Sequence, residues 1–216
     1  MQPPAAFAPL VDLIFPPRCP LCGEGLAAQT GLCGECWGQL EVPTDPPQEQ
    51  AVATGVRYND TARDLVLAFK RGRKIALAPM LARMMNARLG GLEGAWLAVP
   101  VPLHRTRLWH RGFNQSALLA RELALLAGCG LLVDGLVRRK RTPSLGGLGA
   151  AARKAALHGA IAPNPARAAR LNGANILLVD DVLTSGATTD ACIAALRQAG
   201  AGKVRVACFA RVLDHD

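Results

Sequence analysis

A chain of 216 residues and 22.7 kDa has room for one ordinary domain plus a small appendage. Half of its residues are hydrophobic and 19% are charged, which allows a sizeable core and excludes a mainly disordered chain. The net charge of +9 is unevenly placed: residues 1–50 carry −5 and residues 51–216 carry +14. An acidic head on a basic body suggests two units, with a body suited to anions such as phosphate or nucleic acid. A solvated, Arg- and Ala-rich surface is the plain alternative. The longest uncharged apolar stretch of the body, residues 123–133, is about half the length that spans a bilayer. Residues 1–17 lack a basic n-region and contain Asp12, so they do not read as a secretory signal. The expectation is a chain that inserts into no membrane and stays in the cytoplasm. Reduced thiols and an odd count of seven cysteines then argue against a disulfide framework.

The first element in chain order is a pair of CxxC knuckles, Cys19–Cys22 and Cys33–Cys36. Each knuckle aims two thiolates at one point, and two knuckles supply the tetrahedral sulfur shell that Zn²⁺ prefers. A head of about fifty residues needs such a staple because its apolar core is small. A thioredoxin-like redox site would need one CxxC opening a helix in a βαβ setting, which is absent. Cys129, Cys192 and Cys208 lie in apolar segments without ligand spacing and read as small hydrophobes.

Residues 43–50 (PTDPPQEQ) read as a linker, dividing the chain into a zinc-ribbon head at 1–45 and a body at 46–216. In the body, an extended segment at 51–58 precedes a helix at 61–70 with Leu65, Val66 and Phe69 on one face. The basic turn 71–74 leads to helical spacing over 76–89, and glycines punctuate the approach to a buried strand at 96–101. A helix at 113–126 ends at Gly128 and Gly130. Residues 138–158 form a basic, glycine-containing segment with an Ala-rich helix. A strand at 176–179, a helix at 189–198 and a strand at 204–209 complete the chain. Short apolar runs alternating with amphipathic helices predict an α/β fold, a mostly parallel sheet covered by helices on both faces.

The sharpest feature is ILLVDDVLTSGATT at 176–189. Four apolar residues predict a central strand that delivers Asp180 and Asp181 to the crevice where open α/β sheets bind ligands. The loop Thr184, Ser185, Gly186, Ala187 and Thr188 then opens a helix, whose N–H groups and hydroxyls form an anion cradle. Two carboxylates beside a phosphate cradle suit a sugar phosphate, with hydroxyls facing the carboxylates. This run resembles the signature of type I phosphoribosyltransferases, enzymes and binding proteins that hold 5-phosphoribosyl-1-pyrophosphate. The resemblance implies that Asp180 and Asp181 contact the ribose hydroxyls, that Thr184–Thr188 hold the 5′-phosphate, and that Mg²⁺ accompanies the ligand.

The order of segments narrows the resemblance. Two CxxC knuckles, then VPVPLHR at 99–105, then RGFNQS at 111–116, then the ribose-phosphate run is the order of the ComF family. These competence-associated proteins join a zinc ribbon to a type I phosphoribosyltransferase domain. By that resemblance the turn carrying His104 and Arg105 seats pyrophosphate, and Arg111, Asn114 and Gln115 help build the pocket. Read from the residues alone, Phe113 staples a helix start and Asn114 or Gln115 caps it; both readings stay open. Arg105, Arg107 and Arg111 interleave with Trp109, His110 and Phe113, pairing phosphate-binding guanidiniums with aromatic faces. The cations 138–141, Arg139 and Arg141 among them, correspond to the mobile loop that closes over the ligand in phosphoribosyltransferases. That loop departs from the family pattern: Leu145, Ala152, Ala156 and Ile161 replace a Gln, an acid, an Asn and a Phe, while Thr142, Arg153 and Gly159 remain.

Three functions compete at this point. One is a Mg²⁺-dependent phosphoribosyltransferase whose acceptor is not legible and which offers no obvious general base. Another is a non-catalytic adaptor that binds a phosphoribosyl ligand or nucleic acid, including single-stranded DNA, alongside DNA-processing proteins in competence or DNA uptake. A zinc-ribbon adaptor that docks a protein partner through its head is a third.

Overall fold

The computed structural model describes residues 14–28, 30–44, 52–70, 74–140 and 159–212. Its centre is a five-stranded, all-parallel sheet in the order β1-β7-β6-β2-β3. The strands are β1 (Val52–Arg57), β2 (Trp96–Pro100), β3 (Gly130–Leu131), β6 (Asn175–Leu183) and β7 (Val204–Arg211). A separate antiparallel ribbon pairs β4 (Leu136–Arg138) with β5 (Ile161–Pro163).

The sheet is buried on both faces, as parallel sheets require. Leu177 and Val179 of β6 face a core shared with α2 (Asp60–Lys70), α3 (Ala78–Ala87) and α5 (Gln115–Ala127). Ile176 and Leu178 face the opposite core, built with Cys192, Ala195 and Leu196 of α7 (Ala187–Gln198) and with Leu171 of the short α6 (Ala168–Leu171). Side chains such as Phe69, Phe209, Leu177 and Leu178 are fully buried, each worth about 1.5–3 kcal/mol of transfer free energy. Gly55 in β1 explains how closely α3 approaches the sheet. A Cβ there would lie 2.9 Å from the Phe209 carbonyl oxygen and 3.5 Å from the Met85 nitrogen.

Cys192 and Cys208 are fully buried, and burial pushes the Cys208 thiol up to about 12. Both behave as the small hydrophobes their surroundings suggest. Cys129 is half-buried at the margin of the first core, and burial raises its thiol too.

The head packs directly on the body. Leu40 joins the larger core, with Leu21 and Leu32 against it. Hydrogen bonds tie the same join, among them Arg57 N–H to the Glu41 carbonyl at 2.7 Å, Asn59 Nδ2 to the Gln39 carbonyl at 2.8 Å, and Lys74 Nζ to the Pro20 carbonyl at 2.7 Å. A cavity of about 240 Å³ remains at the junction, lined by Arg18, Pro20, Lys74, Leu77 and Met80 among others.

Several elements differ from the sequence expectation. β6 runs to Leu183 instead of ending at Val179, because pairing with β7 continues through Val182↔Ala210 and Leu183↔Arg211. Gly128 ends α5 in the left-handed conformation (φ 65°), but Gly130 opens β3 instead of marking a helix stop. Arg105, expected at the end of the turn that carries His104, opens a helix, α4 (Arg105–Arg111), where no element is predicted. The linker at 45–50, the basic turn at 71–73 and the loop from Arg141 to residue 158 lie outside the described residues. Among the described residues, no helix is long and apolar enough to cross a membrane.

Candidate functional site

In the head, the four sulfurs of Cys19, Cys22, Cys33 and Cys36 lie within 4.8 Å of one another. The first knuckle turns on the hydrogen bond from Gly23 N–H to the Cys19 carbonyl (3.0 Å). The second opens a single helical turn, α1 (Gly34–Gly38), capped by Cys33, whose sulfur accepts from Cys36 N–H at 3.5 Å. Four convergent thiols with this spacing fit a structural zinc ion, which takes four sulfur ligands in a closed tetrahedron.

In the body, the candidate residues gather at the carboxyl end of β6 and β2. Parallel register sets Pro100 beside Val179, and Val101 N–H donates to the Val179 carbonyl at 2.9 Å. β2 ends there, so β6 carries Asp180 and Asp181 past its neighbour into the crevice. The two carboxylates then take different partners. Asp181 is buried and forms an ion pair with Lys70, the last residue of α2, at 3.0 Å. Asp180 accepts from Ser116 Oγ at 3.0 Å and from the Asp181 N–H at 2.9 Å. Burial, and secondarily the Asp181 charge, push the Asp180 carboxyl up to about 7. A carboxyl poised there accepts from sugar hydroxyls once ionised and is sensitive to a neighbouring cation.

The phosphate loop follows. Thr184 and Ser185 are exposed, and Gly186 caps α7 in the left-handed region at φ 74°. No described side chain caps this helix. By contrast, Cys33, His104 and Asn114 each cap their own helix with a side chain. The first N–H groups of α7, at half-buried Ala187 and Thr188, are therefore left without a cap side chain, as they are at α3 and α6, and a helix start of this kind can receive an anion. Asp190 in the first turn is a counterweight, since a carboxylate there competes for the same positive end.

The other expected residues are placed as follows. His104 caps α4: Thr106 N–H donates to its Nδ1 at 3.3 Å. Arg105 is exposed in the first turn of α4, and Arg111 is half-buried in its last. Asn114 caps α5 through Ser116 N–H and donates from Nδ2 to the Val101 carbonyl at 3.0 Å, tying α5 to the end of β2. Gln115 is buried, and its Nε2 has no hydrogen-bond partner among the described residues, a donor of the kind a ligand would satisfy. Phe113 packs its ring 6.2 Å from that of Phe69, so it serves packing. Arg138 ends β4, and Asp180 acts on it electrostatically; Arg139 follows, exposed. Arg141 lies outside the described residues.

Sequence reasoning missed Lys70 and Ser116. Lys70 read only as the basic end of a helix, 111 residues before its partner. Ser116 was quoted within RGFNQS without a role, although its hydroxyl is the one that reaches Asp180.

Comparison with known proteins gives two matched stretches. Residues 10–50 match the double zinc ribbon domain, and residues 112–215 match the phosphoribosyl transferase domain. The chain is 34% identical over 201 residues to the DNA utilization protein YhgH of Salmonella typhimurium, covering 90% of this chain and 84% of that protein. The Escherichia coli protein of the same name is 30% identical over the same shares. The competence protein F of Haemophilus influenzae is 29% identical, covering 90% of this chain and 85% of that protein.

Proposed function

Because the chain belongs to the ComF family, which joins a zinc ribbon to a phosphoribosyltransferase domain, we propose that its crevice binds 5-phosphoribosyl-1-pyrophosphate with Mg²⁺. The observation that carries this reading is the β6–α7 junction. There two carboxylates stand at the carboxyl end of a central parallel strand, directly before a helix start without a side-chain cap. Asp180 and Asp181 accept from the ribose hydroxyls, and Thr184–Thr188 receive the 5′-phosphate at the α7 N-terminus. His104 supplies a ring donor, and Arg105, Arg111, Arg139 and Arg141 supply positive charge toward the pyrophosphate. Mg²⁺ bound to the pyrophosphate beside these carboxylates would neutralise charge on the leaving group. The natural division is a ribbon at 1–45 and a phosphoribosyltransferase-like body at 46–216. The role that fits is DNA uptake or the handling of single-stranded DNA in the cytoplasm, alongside DNA-processing proteins. The support is the relatives' names, DNA utilization protein and competence protein F.

Whether the ligand is turned over is a separate question, and one observation favours binding without transfer. Leu145, Ala152 and Ala156 stand where the closing loop of the family carries polar groups. A loop stripped of those groups closes with fewer contacts to the leaving group. The test is thermal unfolding with and without phosphoribosyl pyrophosphate and Mg²⁺, run beside a single-turnover assay with labelled ligand and a panel of bases and oligonucleotides. Stabilisation without transfer or hydrolysis supports the binding reading. Turnover above an Asp180→Asn/Asp181→Asn control supports the enzyme. The absence of both stabilisation and turnover would refute the phosphoribosyl pocket.

A further inference from the structure

Helix α2 ends at Lys70, whose Nζ holds the buried Asp181 carboxylate at 3.0 Å, and the ribbon grips this helix at both ends. At its start, Asn59 caps the helix, accepting at Oδ1 from Ala62 N–H at 3.0 Å. The same side chain donates from Nδ2 to the Gln39 carbonyl at 2.8 Å and to Glu41 Oε1 at 3.3 Å. Thr61 Oγ1 donates to Gln39 Oε1 at 3.0 Å. Past the other end, Lys74 N–H donates to the Ala68 carbonyl of the last turn at 3.3 Å, and Lys74 Nζ donates to the Pro20 carbonyl at 2.7 Å. Between the ends, Leu65, Val66 and Phe69 are buried in the core against which Leu21 and Leu32 of the ribbon pack.

The two grips belong to different knuckles. Pro20 stands between Cys19 and Cys22. Gln39 closes α1, the helix that Cys33 caps and that carries Cys36. An ion held by all four thiolates joins the knuckles and fixes Pro20 relative to Gln39. The bonds at the grips are individually weak because water competes for them, so their hold on α2 depends on the knuckles keeping their places. At the crevice the demand on position is high. Asp181 is 7% exposed, so an ammonium drawn away from it leaves a carboxylate with little water to replace the partner. Asp180 follows, since its Oδ1 accepts from the Asp181 N–H at 2.9 Å.

A ribbon that only shielded the core would be served by Leu21, Leu32 and Leu40. Polar bonds to both ends of one helix add position to that shielding. We propose that α2 couples the two units: zinc in the ribbon holds α2, α2 holds Lys70 on Asp181, and zinc occupancy thereby sets the affinity of the crevice for a phosphoribosyl ligand. Lys70 is a positioning residue that acts through Asp181. The choice of ligand rests on the phosphoribosyl reading of the crevice; the link from ribbon to crevice does not.

Coupling is reciprocal, so it is testable on the zinc-loaded protein. Zinc affinity is measured by competition with the chromogenic chelator 4-(2-pyridylazo)resorcinol, with and without saturating phosphoribosyl pyrophosphate and Mg²⁺. Bound ligand should raise the zinc affinity of wild type at least about fivefold, the lower end of ordinary coupling. Zinc-loaded Thr61→Val/Lys74→Met loses a bond at each end of α2 while every thiol and crevice residue remains. By calorimetry it should bind phosphoribosyl pyrophosphate at least about fivefold more weakly, and its zinc affinity should no longer respond to saturating ligand. Lys70→Met should behave alike, and Lys70→Arg should restore most of the response. Amide exchange read by mass spectrometry gives a measure free of ligand: the double variant should exchange faster than wild type over residues 60–70 and 180–189, with β7 still protected. A zinc affinity unmoved by bound ligand, or a response that persists in the double variant, would overturn the proposal. If wild type binds phosphoribosyl pyrophosphate and the double variant matches it in affinity and exchange, the coupling falls and the pocket stands. If wild type takes up no phosphoribosyl pyrophosphate while the double variant exchanges faster at 180–189, the link stands and the pocket falls.

Discussion

Replacing Asp180 with asparagine should make the protein more stable above neutral pH while removing a ribose contact. The perturbation is conservative, since an asparagine Oδ1 can still accept from Ser116 Oγ and from the Asp181 N–H. What disappears is an ionisation that the fold opposes. Burial, followed by the Asp181 charge, raises this carboxyl from 3.8 to about 7. A difference of that size corresponds to at most ~4 kcal/mol, and the partial exposure of Asp180 trims it to about 2 kcal/mol. Because the pKa is higher in the folded state, the folded chain binds more protons than the unfolded chain between pH 4 and pH 7. Wild-type stability from this group is therefore greatest below pH 4, falls as pH rises to about 7, and is flat beyond. Asp180→Asn should not show that decline. The assay is urea unfolding of both proteins at pH 5, 6, 7 and 8 in magnesium-free buffer, read by far-UV circular dichroism. The stability difference should grow from pH 5 to 7 and then level off. A difference that is constant with pH, or a variant less stable than wild type at pH 8, would refute the reasoning.

Three further outcomes follow from the same geometry. Lys70→Met leaves the buried Asp181 carboxylate without its ion-pair partner and should cost about 2 kcal/mol in chemical denaturation. In an Asp181→Asn background that penalty should fall below about 1 kcal/mol, a coupling that a double-mutant cycle measures. Gly186→Ala must adopt φ 74°, so it should cost about 1–2 kcal/mol and weaken the response to phosphoribosyl pyrophosphate. Gly186→Asn, which tolerates that conformation better, should recover part of the stability. Elemental analysis should find about one zinc per chain, lost on blocking the thiols and absent from Cys19→Ser/Cys36→Ser. Because Leu40 of the head packs into the body's core, zinc loss should also lower the melting temperature of the whole chain.

The sequence was most informative where a local pattern and a tertiary role coincide. The β6–α7 junction was legible because a run of four aliphatic residues, two carboxylates and a glycine-bearing loop are contiguous. The helix ending at Lys70 was legible from Leu65, Val66 and Phe69, all of which are buried. The two knuckles were legible because metal spacing is itself a local signal. By contrast, β3 has two residues and β4 and β5 three each, too short for any periodicity. The true end of β6 was hidden because Asp180 and Asp181 interrupt the apolar run, although the strand is held by backbone pairing with β7. α4 was hidden because the prolines before it suggest a turn and no buried face marks it as a helix. The partners of the two carboxylates were invisible for another reason. Lys70 and Ser116 arrive from α2 and α5, and only the fold brings them to β6.

The central claim is a phosphoribosyl pocket at the carboxyl end of β6, and calorimetric titration with phosphoribosyl pyrophosphate and Mg²⁺ tests it most directly. Wild type should give saturable heat at one site per chain, and Asp180→Asn/Asp181→Asn, still folded by circular dichroism, should give none. Equal heats for the two proteins, or none for zinc-loaded wild type, would contradict it.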